Sequence, residues 1–333
     1  MSKPWQVVGI GNAIVDVLTQ IEDSFLTENG VERGIMQLID RDRAVELYSK
    51  MGPAREISGG SAANTIAGLA ALGTRTAYVG KVKDDQLGEI FAHDMRAQGA
   101  GFETPLAPKD HEHETGRCMV LVSPDSERSM NTYLGVSEFL APDDIDEHQM
   151  AGADWIFLEG YRFDGPDSVA AFAKAIRATK AAQGKVGITL SDPFCVERHR
   201  DEFLRMIRSD VDLLVANEHE LKSLYQTDDL DAAMRSAQAD VPATACTVGE
   251  KGAHILAGDL HEHVPAEAVN VVDATGAGDL FVSGLMYGMT TGRDWKTCLR
   301  MGCVVAGEVI SHIGARPEAD LRDLMAKEGL LAG

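Results

Sequence analysis

Short apolar runs alternate with amphipathic stretches in the second half of the chain. The pattern predicts strands at 155–158, 186–190, 211–216 and 243–248, separated by helices at 168–183, 200–209 and 218–226. An order of strand, helix, strand, helix is typical of a parallel sheet with helices on both of its faces. The hydrophobic pattern therefore predicts an α/β fold.

The first third of the chain adds strands that do not follow this alternation. We expect strands at 5–10, 15–20, 35–39 and 76–79, helices at 61–72 and 86–99, and a hairpin of 117–122 and 129–134 that turns at Pro124-Asp125-Ser126. No tandem repeat or low-complexity linker divides the sequence. We expect one large domain over residues 1–333, with the extra strands forming a small sheet that stands off the core.

Composition narrows the class of protein. The 333 residues include 31 Lys and Arg against 52 Asp and Glu, a net charge of −21, and 44% are hydrophobic. These values are typical of a folded enzyme, and the negative charge argues against a general nucleic-acid or anionic-membrane surface. A polyanion such as ATP would therefore have to be bound by local amides, helix ends and metal ions.

The sequence also predicts where the protein resides. No stretch reaches the roughly 18 uncharged apolar residues of a membrane span, and the apolar run 7–18 is interrupted by Gly, Asn and Asp, unlike a signal peptide. The five cysteines are odd in number and form no CxxC pair, which predicts reduced, buried thiols. We expect a cytoplasmic protein.

The strongest chemical signal is the segment 273–279, Asp-Ala-Thr-Gly-Ala-Gly-Asp, which precedes an apolar helical run. A glycine-rich turn at a helix start exposes backbone amides that bind anions. A carboxylate there, Asp279, suits a base that takes the proton of a hydroxyl attacking a bound phosphate. The alternative is an ordinary aspartate that caps a helix. The flanking Asp273 and Thr275 favour the catalytic interpretation.

Three further segments place polar side chains at the ends of predicted strands or helices: Gly59-Gly60-Ser61 with Asn64, Asn12 with Asp16, and Asn217 with Glu220. Two glycines let a ligand touch backbone, and an Asp with a nearby Asn suits the vicinal hydroxyls of a sugar. An Asn and a Glu three residues apart could orient Mg²⁺ or its waters. Each segment taken alone also fits an ordinary loop and helix start.

Several competing motifs are excluded or weakened. Gly9-Ile10-Gly11 resembles the start of a dinucleotide fingerprint, but Ile14 stands at the third glycine position. The chain has neither a P-loop motif nor a GxSxG motif. The histidine-rich segments 111–114 and 261–263 are expected in polar loops, where solvated charge is the simpler interpretation than metal binding.

Taken together, the segments resemble the ribokinase-like (PfkB) carbohydrate kinase family, most closely its adenosine kinase branch. The resemblance follows the family's order through Gly11-Asn12…Asp16, Gly59-Gly60…Asn64, Gly80…Asp84…Gly88, Asn217-x-x-Glu220, Thr247-x-Gly249-x-x-Gly252 and the segment 273–279. It implies a mainly parallel sheet with helices on both faces and a small β-sheet lid built from about 15–20, 35–39 and 117–134.

The resemblance also implies a role for each site residue. Asp279 would be the catalytic base, the amides of Gly276, Ala277 and Gly278 would form the anion hole, and Arg128 would reach the phosphates when the lid closes. The acceptor would contact Asn12, Asp16, Gly59, Gly60, Ser61 and Asn64, with Met36, Leu38, Met130, Thr132 and Leu134 on the lid face and Tyr161 nearby. ATP would contact Thr247, Gly249, Gly252, Asn217, Cys303 and Gly307. Asn217 and Glu220 would organise Mg²⁺, and Asp273 beside Thr275 is compatible with a K⁺ site.

The implied reaction is ATP-dependent phosphorylation of the 5′-hydroxymethyl group of a nucleoside, adenosine to AMP, by a monomer or homodimer. The apolar lid face suits a purine. Met36 stands where adenosine kinases carry a Gln, so inosine, guanosine or a free sugar such as ribose or fructose are the alternatives. A non-catalytic nucleoside sensor of the same fold is the rival class, and Asp279 argues against it because a binder needs no base.

Overall fold

The computed structural model describes residues 3–125 and 127–331, so Ser126 of the predicted hairpin turn lies outside the described residues. The strands are β1 (Trp5–Ile10), β2 (Ile14–Gln20), β3 (Met36–Leu38), β4 (Arg55–Gly59), β5 (Thr76–Val79), β6 (Gly101–Phe102), β7 (Thr115–Val122), β8 (Arg128–Gly135), β9 (Ala153–Glu159), β10 (Lys185–Thr189), β11 (Leu213–Asn217), β12 (Ala243–Thr247), β13 (Ala253–Ala257) and β14 (Leu260–Val264).

The α-helices are α1 (Asp23–Glu28), α2 (Arg41–Lys50), α3 (Ser61–Ala71), α4 (Gln86–Ala97), α5 (Glu147–Ala151), α6 (Ser168–Ala181), α7 (Pro193–Ser209), α8 (Glu218–Tyr225), α9 (Leu230–Asp240), α10 (Ala277–Thr290), α11 (Trp295–Val309) and α12 (Leu321–Lys327). No helix within the described ranges has the length and apolar character needed to cross a membrane.

The larger sheet confirms the predicted α/β fold. Its described strands lie in the order β14-β13-β12-β11-β10-β9-β1-β5-β6, and every neighbouring pair is parallel except β12–β13 and β13–β14. One face packs against α6 to α9 through residues such as Phe172 and Phe203. The other face packs against α3, α4, α10 and α11 through Ile66, Phe91 and Leu285. Because both faces are covered, the strands carry continuous apolar runs.

The smaller sheet contains the predicted lid strands in the order β3-β8-β7-β2-β4. Its outer face packs on α1 and α2 through Leu26, Leu47 and Leu121. On its inner face the register aligns Asp16, Cys118, Thr132 and Leu38 in one row across β2, β7, β8 and β3. Period-2 alternation therefore gives this sheet one buried face and one face available for a ligand.

Three local expectations are corrected by the structure. The helix predicted at 200–209 begins at Pro193, because Asp192 caps it and proline is favoured in a first turn. Residues 55–59 form β4, which the sequence analysis did not predict. Residues 261–263 lie in the edge strand β14 and not in a loop. Their polar side chains are compatible with a strand because this edge strand is mostly exposed.

Gly60 makes the junction between the two sheets testable. Its φ of +100° is left-handed, and a Cβ there would lie 2.2 Å from the Asn12 carbonyl oxygen. We expect Gly60→Ala to lower the free energy of unfolding by about 2–5 kcal/mol, the left-handed conformation and overpacking together. Gly258→Ala is the control, since Gly258 has a φ of +57° and no atom within 4 Å of the added Cβ. If chemical denaturation gave the same loss of unfolding free energy for both variants, the close approach of Gly60 to Asn12 would not explain the result.

Candidate active site

Two cavities lie at the carboxyl ends of the parallel strands, where open α/β sheets bind ligands. Asn12 follows β1, while Asn217 and Thr247 end β11 and β12. One cavity of about 610 Å³ lies between the two sheets, and one of about 380 Å³ lies beside β11 and β12. Both are lined by Ser61, Ser191, Asn217, Glu220, Ala274, Ala277, Gly278 and Asp279. The predicted base therefore stands in the wall that the cavities share.

The Asp279 carboxylate is held by the first turn of α3. Its Oδ1 accepts a hydrogen bond from Ser61 Oγ at 2.6 Å, and its Oδ2 accepts one from Asn64 Nδ2 at 2.9 Å. Burial raises the pKa of Asp279, while these two hydrogen bonds and the charge of Arg316 oppose that rise. A raised pKa brings the carboxyl closer to neutral pH, where a general base is most effective.

The glycine turn before Asp279 has the geometry of a helix start. Gly276 adopts a φ of +77°, and α10 begins at Ala277. The first-turn amides of a helix have no acceptor within it, so Gly278 and Asp279 N–H groups suit an anion. The Ala277 amide differs from the prediction in one respect, because it donates to the Ala274 carbonyl at 3.2 Å.

The larger cavity collects the residues predicted for the acceptor: Asn12, Asp16, Met36, Leu38, Gly60, Ser61, Asn64, Met130, Thr132, Leu134 and Tyr161 line it. Ile14 and Cys118 add to its apolar wall on the lid side. Gly59 is not part of the lining. It lies behind Asp16, and a Cβ at Gly59 would come within 2.4 Å of the Asp16 carboxyl. Gly59 therefore makes room for Asp16.

Only part of the predicted ATP set lines the second cavity. Asn217, Thr247 and Gly249 line it, with Phe281 and Val282 from α10. Gly252 lies against the β14 end instead, because a Cβ there would meet the Val264 carbonyl at 2.0 Å. Cys303 packs in the core and Gly307 lies against Glu267, and neither residue lines either of these two cavities.

Arg128 lines the larger cavity, but its guanidinium pairs with Asp273 of the core. The Asp273 Oδ2 also accepts the Gly314 amide at 2.8 Å, and its Oδ1 accepts the Thr275 amide at 3.0 Å. Both carboxylate oxygens are therefore engaged by the protein. This ion pair joins the lid strand β8 to the loop that precedes α10. Contact of Arg128 with the phosphates on lid closure, and a K⁺ site at Asp273, stay predictions.

Asn217 and Glu220 form the start of α8. Asn217 Nδ2 and its backbone amide donate to the two Glu220 oxygens at 2.6 and 2.9 Å. Burial raises the pKa of Glu220 to about 7. Across residues 3–125 and 127–331, no group of three or more His, Cys, Asp or Glu side chains could hold a metal ion.

Comparisons with known proteins agree with this geometry. Residues 34–321 match the pattern of the pfkB family carbohydrate kinases. The chain belongs to this family. An adenosine kinase of Sinorhizobium meliloti is 46% identical, with a TM-score of 0.92 over 98% of this chain and 99% of that one. A probable sugar kinase of Rhizobium etli is 45% identical, with a TM-score of 0.93 over 99% of this chain and all of that one.

A curated relative extends the comparison. The adenosine kinase of Saccharomyces cerevisiae is 24% identical over 332 residues, covering 92% of this chain and 95% of the relative. The protein is thus a phosphotransferase of the pfkB family with the ribokinase-like fold.

Three charged residues of this kinase site were missed by the sequence analysis. Glu159 ends β9 and accepts the Asn12 and Ala62 amides, and burial raises its pKa to about 7. Its place at a strand end was a signal that could have found it. Arg162 donates to Asn12 Oδ1 at 2.9 Å, and Arg316 lies behind α3. Both arginines come from irregular segments whose sequence pattern carries no such signal.

We expect Asp16→Ala to weaken the binding of the acceptor by this pfkB kinase and to leave the binding of ATP unchanged. Asp16 lines the cavity away from Thr247 and Gly249, and a charge-assisted hydrogen bond to a hydroxyl is worth about 1.5–3 kcal/mol. The acceptor KM should rise roughly 10- to 150-fold, with the ATP KM within about twofold. Asp42→Ala, on the exposed face of the lid, is the control. If the KM values for acceptor and ATP rose equally, Asp16 would support the fold and would not bind the acceptor.

Proposed function

We propose that this pfkB-family kinase transfers the γ-phosphoryl group of ATP to the 5′-hydroxymethyl group of a nucleoside, with adenosine as the preferred acceptor. The observation that carries the proposal is the position of Asp279. Its carboxylate stands between an apolar cavity large enough for a nucleoside and a second cavity beside Thr247 and Gly249. Acceptor and donor would meet at this carboxylate.

In the proposed step, Asp279 takes the proton of the acceptor hydroxyl. The hydroxyl oxygen forms a bond to the γ-phosphorus, and the bond from that phosphorus to the β–γ bridging oxygen breaks, so that ADP leaves. The first-turn amides of α10 stabilise the charge on the transferred group. Hydrogen bonds from Ser61 and Asn64 hold Asp279 in place for the proton transfer.

The residues of the shared wall fit a magnesium nucleotide. Mg²⁺ with nucleotide phosphates takes only one or two protein ligands and keeps several waters, which suits Asn217 and Glu220 and needs no cluster of carboxylates. When bound there, Mg²⁺ would neutralise part of the negative charge on the transferred phosphate. The Glu220 carboxyl, whose pKa burial raises to about 7, gains its ionised form most easily beside a cation.

The lid face supports a purine over a free sugar. Met36, Met130 and Leu134 line the cavity on the lid side, and Asn12, Asp16 and Asn64 are among its polar lining residues. A ribose bound by these polar groups would leave the apolar side chains to the base. The adenosine kinase at 46% identity supports the same acceptor. The probable sugar kinase at 45% identity makes a free sugar the alternative that the assay must score.

We expect Asp279→Asn to reduce kcat by roughly 10²–10⁴, the usual contribution of a general base, with acceptor and ATP affinity nearly unchanged. Asparagine keeps the size of the side chain but cannot take the proton. Steady-state kinetics and calorimetric binding measure the two effects.

The matched control is Asp294→Ala. Asp294 caps α11 by accepting the Thr297 amide at 3.0 Å, far from the cavities, so its loss should cost about 1 kcal/mol of stability and no turnover. If Asp279→Asn instead lost stability and kept near-normal kcat, Asp279 would serve only to hold α10 against α3, and the proposed base would be wrong.

We expect Leu38→Asp to remove most of the preference for adenosine over ribose. A covered purine face of about 100 Å² is worth about 2–3 kcal/mol, a preference of roughly 30- to 200-fold. Leu134→Asp should act in the same way. The ratio of kcat/KM for the two acceptors measures the change, and the ATP KM should stay constant.

Val45→Asp is the control for this experiment, because Val45 is exposed on α2, on the other side of the lid sheet. If the wild-type enzyme uses ribose or a hexose as well as or better than every nucleoside, the nucleoside proposal fails and the sugar-kinase alternative stands.

A further inference from the structure

Arg316 makes a dense set of hydrogen bonds at the back of the site. Its Nη1 donates to the Ala63 carbonyl at 2.8 Å. Its Nε and Nη2 donate to the Ser58 carbonyl at 3.2 and 2.8 Å, and Nη2 also donates to Ser58 Oγ at 3.0 Å. Ser58 and Ala63 are buried, and Arg316 is only partly exposed.

These contacts span the junction between lid and core. Ser58 lies in the lid strand β4, and Ala63 lies in the first turn of α3. Between them runs the Gly59–Gly60 turn, whose left-handed Gly60 leads directly to Ser61. The same turn of α3 supplies the Ser61 and Asn64 donors to Asp279. Arg316 therefore fixes the segment on which the position of the base depends.

Arg316 also carries a positive charge close to both carboxylates of the site. It lies with Asp16 and Asn64 in the wall of a small cavity of about 70 Å³ behind the turn. The titratable groups that act on Arg316 are Asp16 of β2, Asp279 of α10, Asp94 of α4 and Tyr78 of β5. Asp94 is engaged by the Ser58 amide at 3.0 Å.

The second arginine near Asp16 has another partner. Arg128 acts on Asp16, but it is paired with Asp273. Glu159 and Glu220 also interact electrostatically with Asp279, and Arg162 offsets part of the charge of Glu159. Arg316 is thus the cation shared by Asp16 and Asp279.

We propose that Arg316 is a positioning residue for phosphoryl transfer, which holds the Gly59–Gly60 turn and the first turn of α3 by its hydrogen bonds and places a positive charge behind them. The proposal rests on the phosphoryl transfer proposed above, but not on the identity of the acceptor. It assigns a functional role to a residue outside both cavities.

The positive charge of Arg316 lowers the pKa values of both carboxylates. Burial raises the pKa of Asp16 to about 6, and Arg316 is the largest influence that lowers it. Arg316 also lowers the pKa of Asp279. Removing the charge should raise both pKa values further. Since the reaction needs both carboxylates ionised, the acid limb of the kcat/KM profile should move to higher pH.

The test compares Arg316→Gln and Arg316→Lys with wild type, using Arg300→Gln as the matched control. Arg300 pairs with Glu328 at 3.0 Å on the surface, away from the site. For Arg316→Gln we expect the acid limb to move up by about one pH unit or more. Arg316→Lys keeps the charge but not the planar fork, so we expect a wild-type pH profile with an acceptor KM raised roughly 3- to 10-fold. Arg300→Gln should change neither.

A second measurement needs no turnover. Carboxyl ¹³C NMR titration of wild type and Arg316→Gln follows Asp16 and Asp279 directly, with the signals assigned by their loss in Asp16→Asn and Asp279→Asn. Both pKa values should rise in Arg316→Gln. Unchanged values, or a variant with lower thermal stability and a wild-type pH profile, would reduce Arg316 to a structural contact and overturn the proposal.

The two proposals fail in different ways. A wild-type enzyme that phosphorylates no acceptor would refute the proposed function, and the NMR titration would still decide the role of Arg316. An active wild type whose pH profile is unaffected by Arg316→Gln would refute the inference and leave the proposed function intact.

Discussion

The desolvated carboxylate of Asp279 is the constraint on which the rest of the site depends. The carboxyl stands in the wall that the two cavities share, and the protein packed around it favours its neutral form and raises its pKa. Two hydrogen bonds from α3 and the charge of Arg316 stabilise the ionised form and oppose the rise in pKa. For α3 to begin at this point, the chain must turn through a left-handed glycine against the Asn12 carbonyl. The hydrogen bonds of one carboxylate thereby join α10 to the first turn of α3, next to the junction of the two sheets.

The lid sheet has apolar side chains on both of its faces. The lid sheet needs an apolar inner face to cover the acceptor and an apolar outer face to pack on α1 and α2, and the period-2 alternation of β7 and β8 provides both. The buried pair between Arg128 and Asp273 joins the start of β8 to the loop that precedes α10. One ion pair therefore connects the lid sheet to the segment at the start of α10.

The parallel sheet was predictable because its strands are apolar runs that helices interrupt at regular spacing, and the lid hairpin was predictable from alternation on both sides of a proline turn. The edge strand β14 was not, since an exposed strand of polar residues has no hydrophobic pattern. The motif residues that line the cavities sit at strand ends and helix starts, which sequence reveals. Gly252, Cys303 and Gly307 lie outside the lining of the two cavities, because lining depends on tertiary packing that a sequence motif does not contain. The contacts of Arg316 could not be predicted from the sequence, because its partners are backbone carbonyls more than 250 residues away.

The central claim is that acceptor and donor meet at Asp279. A crystal structure of the Asp279→Asn variant with adenosine and MgATP tests it most directly, because the slow variant holds both substrates before transfer. The account predicts the 5′-hydroxyl within hydrogen-bond distance of residue 279, the γ-phosphate at the Gly278 amide, and the purine against Met36 and Leu134. An acceptor hydroxyl pointing away from residue 279, or a γ-phosphate bound outside the start of α10, would contradict it.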